Sequence, residues 1–176
     1  AVARTLSGAN NPSARLTVSF PRVSGQCPVY YNHPNTGRPA GRSKFTSKYM
    51  DIEHGALYDF GYGLSYTTFA YSNATLSGNV VSVDITNTGS REGKEVVQLY
   101  VSDRKSSLVR PVKELKAFEK ISLQPGETKT VYFTITDDML SYFEPDLHKW
   151  TLESGTFDLL IGSSSAAIHA SLPYKR

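Results

Sequence analysis

Few side chains in this sequence have the type and spacing to do chemistry, and each has a plain structural alternative. Asp51, Glu53 and Asp59 lie close together in a tyrosine-rich stretch, and Glu92 and Glu95 flank a turn into a strand. General acid–base work needs a carboxyl whose pKa is raised by desolvation. No apolar run encloses these residues. Asp51, Glu53 and Asp59 are therefore expected as solvated loop charges, and Glu92 and Glu95 as exposed edge charges. The histidines His33, His54, His148 and His169 show no pair at a metal-ligand spacing such as i, i+4, and read as surface or interface residues. Cys27, beside Pro28, has no base near it in sequence and reads as an inert thiol. As the only cysteine, it also excludes an intramolecular disulfide and a cysteine-based zinc site.

Neither Ser7 nor Ser65 sits in a nucleophile motif, because Gly63-Leu64-Ser65-Tyr66 lacks the second glycine of a nucleophile elbow. Arg38, Arg42, Lys44 and Lys48 are spread across glycine and proline with no helix to align them. They read as a solvated or domain-contacting loop rather than a phosphate site. Asn73-Ala74-Thr75 is a formal glycosylation sequon. From the residues alone, no catalytic, cofactor-binding or metal-ligating group is expected.

The elements that would have to position such residues are bounded by composition. The chain has 176 residues, a formal charge of +3, 39% apolar and 20% charged side chains. That is enough to bury a core and too apolar for a disordered chain. No run approaches the ~18 apolar residues of a membrane span, and the charge bias is too small to imply a nucleic-acid partner. Neither a membrane nor a nucleic acid is expected as a partner.

Composition divides the chain after Tyr66. Residues 1–66 hold 7 of the 13 glycines and 5 of the 9 prolines, with 7 Lys/Arg against 3 Asp/Glu. Residues 67–176 are regular and near neutral. The first part offers one strand, Arg15 to Phe20, and a short apolar pair at Val29-Tyr30. Its rings, including Phe20, Tyr30, Tyr31, Phe45, Tyr49, Tyr58, Phe60, Tyr62 and Tyr66, are too many for a disordered linker. The segment is expected to wrap over a surface, either the second part or protein outside this chain.

In the second part, period-two alternation recurs between turns. Val81, Val83 and Ile85 alternate with polar residues, as do Val97, Leu99 and Val101, and Val131, Phe133 and Ile135. Leu115–Leu123, Lys149–Leu152, Phe157–Ile161 and Ala167–Leu172 are further expected strands, with a turn at Gln124-Pro125-Gly126-Glu127. Asp137-Asp138 is expected to cap one short helical turn. The pattern predicts a mainly β fold, an immunoglobulin or fibronectin type III-like antiparallel β-sandwich over 67–176. An extended, loop-rich N-terminal segment over 1–66 precedes it.

Several runs resemble the C-terminal portion of glycoside hydrolase family 3 β-glucosidases. They are Asn11-Pro12-Ser13-Ala14-Arg15-Leu16-Thr17-Val18-Ser19-Phe20-Pro21, Pro28-Val29-Tyr30-Tyr31-Asn32-His33, Thr36-Gly37-Arg38-Pro39 and Leu57-Tyr58-Asp59-Phe60-Gly61-Tyr62-Gly63-Leu64-Ser65-Tyr66-Thr67-Thr68-Phe69. Arg110-Pro111-Val112-Lys113-Glu114-Leu115-Lys116 and Leu123-Gln124-Pro125-Gly126-Glu127 match within the sandwich. The resemblance implies that residues 1–66 are the tail of an α/β-sandwich domain plus an aromatic connector, followed by a fibronectin-like module.

It also implies a parent enzyme hydrolysing β-linked glucosides with two carboxylates, a nucleophile from a barrel and an acid/base from the α/β sandwich. Neither maps onto this chain, so catalytic residues, cofactors and metals are all expected to be absent and the chain inactive alone. The expected partners are the barrel and α/β-sandwich domains of the parent, with a periplasmic or extracellular location. Tyr31 and Arg38 are the candidate rim contacts to substrate. Tyr58, Phe60, Tyr62, Tyr66 and Phe69 read as interdomain packing rather than a sugar platform. The alternative is a non-catalytic carbohydrate-binding or cell-surface adhesion module, which needs an exposed aromatic strip on one sheet.

Overall fold

Alternation puts one side of each strand into a shared interior, and two sheets close over it. The computed structural model describes every residue except Thr36, Arg42 and Lys44. Two short α-helices, α1 (Val2–Leu6) and α2 (Asp137–Leu140), and a 3-10 turn at Ser24–Gln26 are the helical elements among the described residues. The strands are β1 (Phe69–Ser77), β2 (Val80–Asn87), β3 (Gly93–Asp103), β4 (Glu114–Leu123), β5 (Thr128–Thr134), β6 (Tyr142–Glu144), β7 (Lys149–Thr151), β8 (Thr156–Gly162) and β9 (Ile168–Lys175). They form antiparallel sheets ordered β1-β2-β5 and β4-β3-β8-β9, with β6-β7 a separate ribbon. Among the described residues no helix is long and apolar enough to cross a membrane.

Val81, Val83 and Ile85 of β2 meet Val97, Leu99 and Val101 of β3 and Leu159 and Ile161 of β8 in one cluster. Each such side chain, fully withdrawn from water, contributes about 1.5–3 kcal/mol. This bears out the expected sandwich. Beyond the expected set, β1 and β6 are present, and β1 carries an irregularity between Ser72 and Thr75 that breaks its alternation. The turn at 137–140 forms with Thr136 rather than an aspartate as N-cap, and Asp137 and Asp138 occupy its first turn.

Two expectations fail. Arg15–Phe20 is no strand. Its backbone bonds with the connector are confined to Leu16 and Phe20: their N–H groups donate to the Tyr62 and Tyr58 carbonyls at 2.8 Å, and their carbonyls accept from the Gly61 and Leu57 N–H at 2.8 Å. A local apolar run does not become a strand without a continuous partner edge. Glu95, expected at an exposed edge, is 2% exposed. Its place on β3 turns it toward the interior side, in step with Val97, where a cation from the N-terminal segment meets it.

That segment lies on the outer face of the four-stranded sheet. Gln98 and Tyr100 alternate with the core residues of β3 and point away from the core. They are nonetheless 2% and 0% exposed, because residues 31 and 60–61 cover them. Other rings of the segment stay open, among them Tyr30, Phe45, Tyr49 and Tyr58. The segment thus wraps the sandwich with part of its aromatic surface only.

Candidate functional site at the covered sheet face

Among the contacts that attach the N-terminal segment to the sandwich, such as the Val112 N–H donated to the His33 carbonyl at 3.0 Å, three groups stand out. In the first, the Gln98 amide donates to the carbonyls of Gly61 at 3.2 Å and Ser163 at 2.7 Å, while its oxygen accepts from the Tyr100 hydroxyl at 2.5 Å. Every polar atom of that buried amide is used, which is what burial of an amide demands. Tyr31 stacks on Phe60 at 4.3 Å and meets Tyr100 edge-on at 5.8 Å. Its hydroxyl accepts from the Leu115 N–H at 3.1 Å, and the Ser165 N–H donates to the Phe60 carbonyl at 2.9 Å. Burial pushes the Tyr100 phenol well above its ordinary range, so it stays a neutral donor.

In the second, Arg15 reaches Glu95 at 2.7 Å, and the Tyr71 hydroxyl donates to the other carboxylate oxygen at 3.0 Å. Tyr71 is itself stacked on His169 at 4.1 Å. Burial, then the neighbouring Glu95 charge, raises the Tyr71 phenol, while burial lowers the His169 imidazole. In the third, Asn11 accepts from Ser65 Oγ and the Tyr66 N–H and donates to the Glu92 carbonyl, with Arg91 over the Tyr66 ring.

Between segment and sandwich lies a cleft of about 400 Å³. Its floor is tied by Gln26, 1% exposed, which accepts from the Arg22 N–H at 2.6 Å and donates to the carbonyls of Glu53 and Gly55. Tyr31, His33, His54, Asp59 and Lys113 line it. Lys113 donates to the Ser165 carbonyl, and burial lowers its pKa while Asp59 pulls it back up.

The expected residues therefore part company. Tyr31 is in the cleft wall. Arg38 is exposed and outside it, its carbonyl accepting from the Ser47 N–H at 2.9 Å. Arg42 and Lys44 lie outside the described residues. Asp51 and Glu53 are exposed, and Glu53 pairs with Arg22 at 2.8 Å. Asp59, half-buried, faces the cleft rather than bulk solvent. Cys27 and His148 are exposed, and Ser65 serves Asn11.

The carboxyls whose pKa is displaced, Asp84, Glu127, Glu153 and Asp158, all move down. That is the wrong direction for a general acid. Among the described residues no group of three or more His, Cys, Asp or Glu side chains gathers to hold a metal. Glu95, Gln98 and Tyr100 carry no local sequence signal of their burial, because the residues that cover them lie far away in the chain.

Residues 1–66 match the glycosyl hydrolase family 3 C-terminal domain, and residues 95–165 match a fibronectin type III-like domain. The first 66 residues are thus those of a glycosyl hydrolase family 3 C-terminal domain. A periplasmic β-glucosidase of Salmonella typhimurium is 50% identical over 96% of the chain and 23% of its own length. A putative β-xylosidase of Formosa agariphila is 45% identical over 93% of the chain and 22% of its length. The crystal structure of a Listeria innocua β-glucosidase in complex with glucose superposes with a TM-score of 0.91 at 40% identity, over 99% of the chain and 25% of that structure. The chain spans about a quarter of the length of the relatives it matches.

Proposed function

We propose that this chain is the C-terminal part of a retaining β-glucosidase, in which it places and stabilises catalytic domains rather than cleaving bonds. One observation carries the reading. The outer face of a fibronectin-like sheet, normally open to water, is buried through Gln98 and Tyr100 under the segment that matches the family 3 C-terminal domain. A sheet face buried with full hydrogen bonding fixes the orientation of whatever the segment continues into.

On this reading residues 1–66 are the tail of an α/β-sandwich domain with its connector, and 67–176 form the fibronectin-like module. The barrel and α/β sandwich of the parent are its partners and supply both catalytic carboxyls. The β-glucoside is reached through the parent only. Tyr31 and Arg38 stand at the rim of the parent's substrate site. A periplasmic or extracellular location agrees with the name of the Salmonella relative.

The test is an assay of the isolated chain and of the full-length parent against an aryl β-glucoside. The chain should give no turnover, and activity surviving repurification would overturn the proposal. In the parent, Arg38→Ala should raise KM with kcat little changed, the mark of lost binding rather than lost chemistry.

One observation favours the alternative of a carbohydrate-binding module. The β6-β7 ribbon displays Trp150, 70% exposed, edge-on to Phe143 at 6.0 Å. Saturable binding of soluble glucan by the full chain, abolished by Trp150→Ala, would support it.

A further inference from the structure

The attachments of the N-terminal segment through Arg15 and through Gly61 are joined by one line of side chains that begins and ends in that segment. Arg15 reaches Glu95 on β3 at 2.7 Å, and Glu95 accepts from the Tyr71 hydroxyl on β1 at 3.0 Å. The Tyr71 ring stacks on the His169 imidazole of β9, with centroids 4.1 Å apart and 15° between planes. His169 Nε2 lies 3.0 Å from Ser163 Oγ. The Ser163 carbonyl accepts from the Gln98 amide, which also donates to Gly61. Within this line only the imidazole changes its charge near neutral pH.

We propose that His169 is a proton-operated shutter over this junction: neutral, it lies closed on Tyr71, and charged, it swings into water and loosens the N-terminal segment. The burial gradient fits that role. His169 is exposed, Tyr71 half-buried and Glu95 fully buried. With the shutter open, water reaches Glu95 and weakens its attraction to Arg15, and Ser163 loses a side-chain partner beside Gln98. The groups facing the imidazole set the direction. From β1, Tyr71 stays a neutral donor, because burial and then the Glu95 charge raise its phenol. From β3, Glu95 attracts an imidazolium, but Arg15 and Tyr71 already engage its two oxygens. Ser163, after β8, is uncharged. Burial outweighs the pull of Glu95 and lowers the imidazole pKa. The closed junction therefore takes up a proton less readily than the open one. Closure is complete above about 6.5, the ordinary imidazole value, and fades as pH falls through the lower value of the closed state. The shutter belongs to this chain and stands whether or not the chain serves a larger enzyme.

The test follows the full 176-residue chain, isotope-labelled, by NMR from about pH 8 to about pH 5. The His169 ring should titrate below the ordinary imidazole value. The amides of Gly61 and Glu95 and the Gln98 side chain should shift with the same midpoint. Opening of residues 57–66, read by hydrogen exchange corrected for the intrinsic effect of pH, should rise about threefold at the acid end, while β2 and β5 stay protected. His169→Gln keeps a neutral hydrogen-bonding side chain and should flatten this response. His54→Gln, which alters a histidine away from the line, should leave it as in the unaltered chain. A midpoint at Gly61 and Glu95 that differs from that of the His169 ring would overturn the proposal, even if His169→Gln failed to fold. A pH response that persists in folded His169→Gln, or disappears in His54→Gln, would overturn it as well.

Discussion

Arg15 and Glu95, separated by eighty positions, meet at 2.7 Å with side chains 11% and 3% exposed. The pair joins the N-terminal segment to β3, and Tyr71 closes it from β1. Removing one partner of a buried pair leaves the other charge uncompensated, which costs about 3–5 kcal/mol. Glu95→Ala should therefore lower the urea midpoint by that much in stability. The double change Arg15→Met, Glu95→Met should recover most of the loss, since no charge is then left buried. Equal destabilisation by single and double variants would contradict this account.

Gly61 sits at φ +81°, and a Cβ there would stand 2.2 Å from the Gln98 side-chain oxygen. Gly61→Ala combines a backbone conformation disfavoured for L side chains with displacement of a fully bonded amide. The positive φ alone costs about 1–3 kcal/mol. Limited proteolysis should cut within residues 57–66 faster in this variant, while amides of β2 and β5 keep their exchange protection.

Core and surface apolar side chains should separate cleanly. Leu99→Ala, at 0% exposure between the sheets, should destabilise by about 2–5 kcal/mol. Phe118→Ala, on the open outer face of β4 at 65% exposure, should stay within about 0.5 kcal/mol. Thermal melts of the two variants measure the contrast.

Glu153 gives a pH dependence. Hydrogen bonds from Ser107, then from Tyr142, hold its carboxyl at about 2 against an ordinary 4.5. A carboxyl lowered on folding contributes stability that is complete above its unfolded pKa and is lost as pH falls through the folded one. The contribution should therefore fade from about pH 4.5 down to about 2. Carboxyl-detected NMR should show Ser107→Ala titrating higher, with the Tyr142 phenol, raised to about 12, also relaxing downward if Glu153 is replaced by Gln.

The sandwich was legible because its strands repeat one physical signal. Val81/Val83/Ile85 and Val97/Leu99/Val101 alternate strictly, and burial follows that alternation. β1 escaped notice because Ala70, Ser72 and Ala74 give weak contrast and its irregularity falls mid-strand. β6 spans only Tyr142–Glu144, too short for a period to register. The site was the harder part. Gln98 and Tyr100 do point outward, as alternation implies, but what covers them comes from residues 31 and 60–61. Glu95 was misplaced for the same reason, its partner lying eighty positions back. Asp59 has no local neighbour that reveals the cleft, which is closed by Lys113 and Ser165 from the other side of the junction.

Because Gln98 and Tyr100 are clothed by the preceding sixty residues, the β-sandwich is not a portable bead. A chimera that grafts 67–176 alone onto a foreign carrier would strip that covering and present a sticky tyrosine and an idle amide to the surroundings. Transplanted together with its wrapping, the same module should travel soluble and intact.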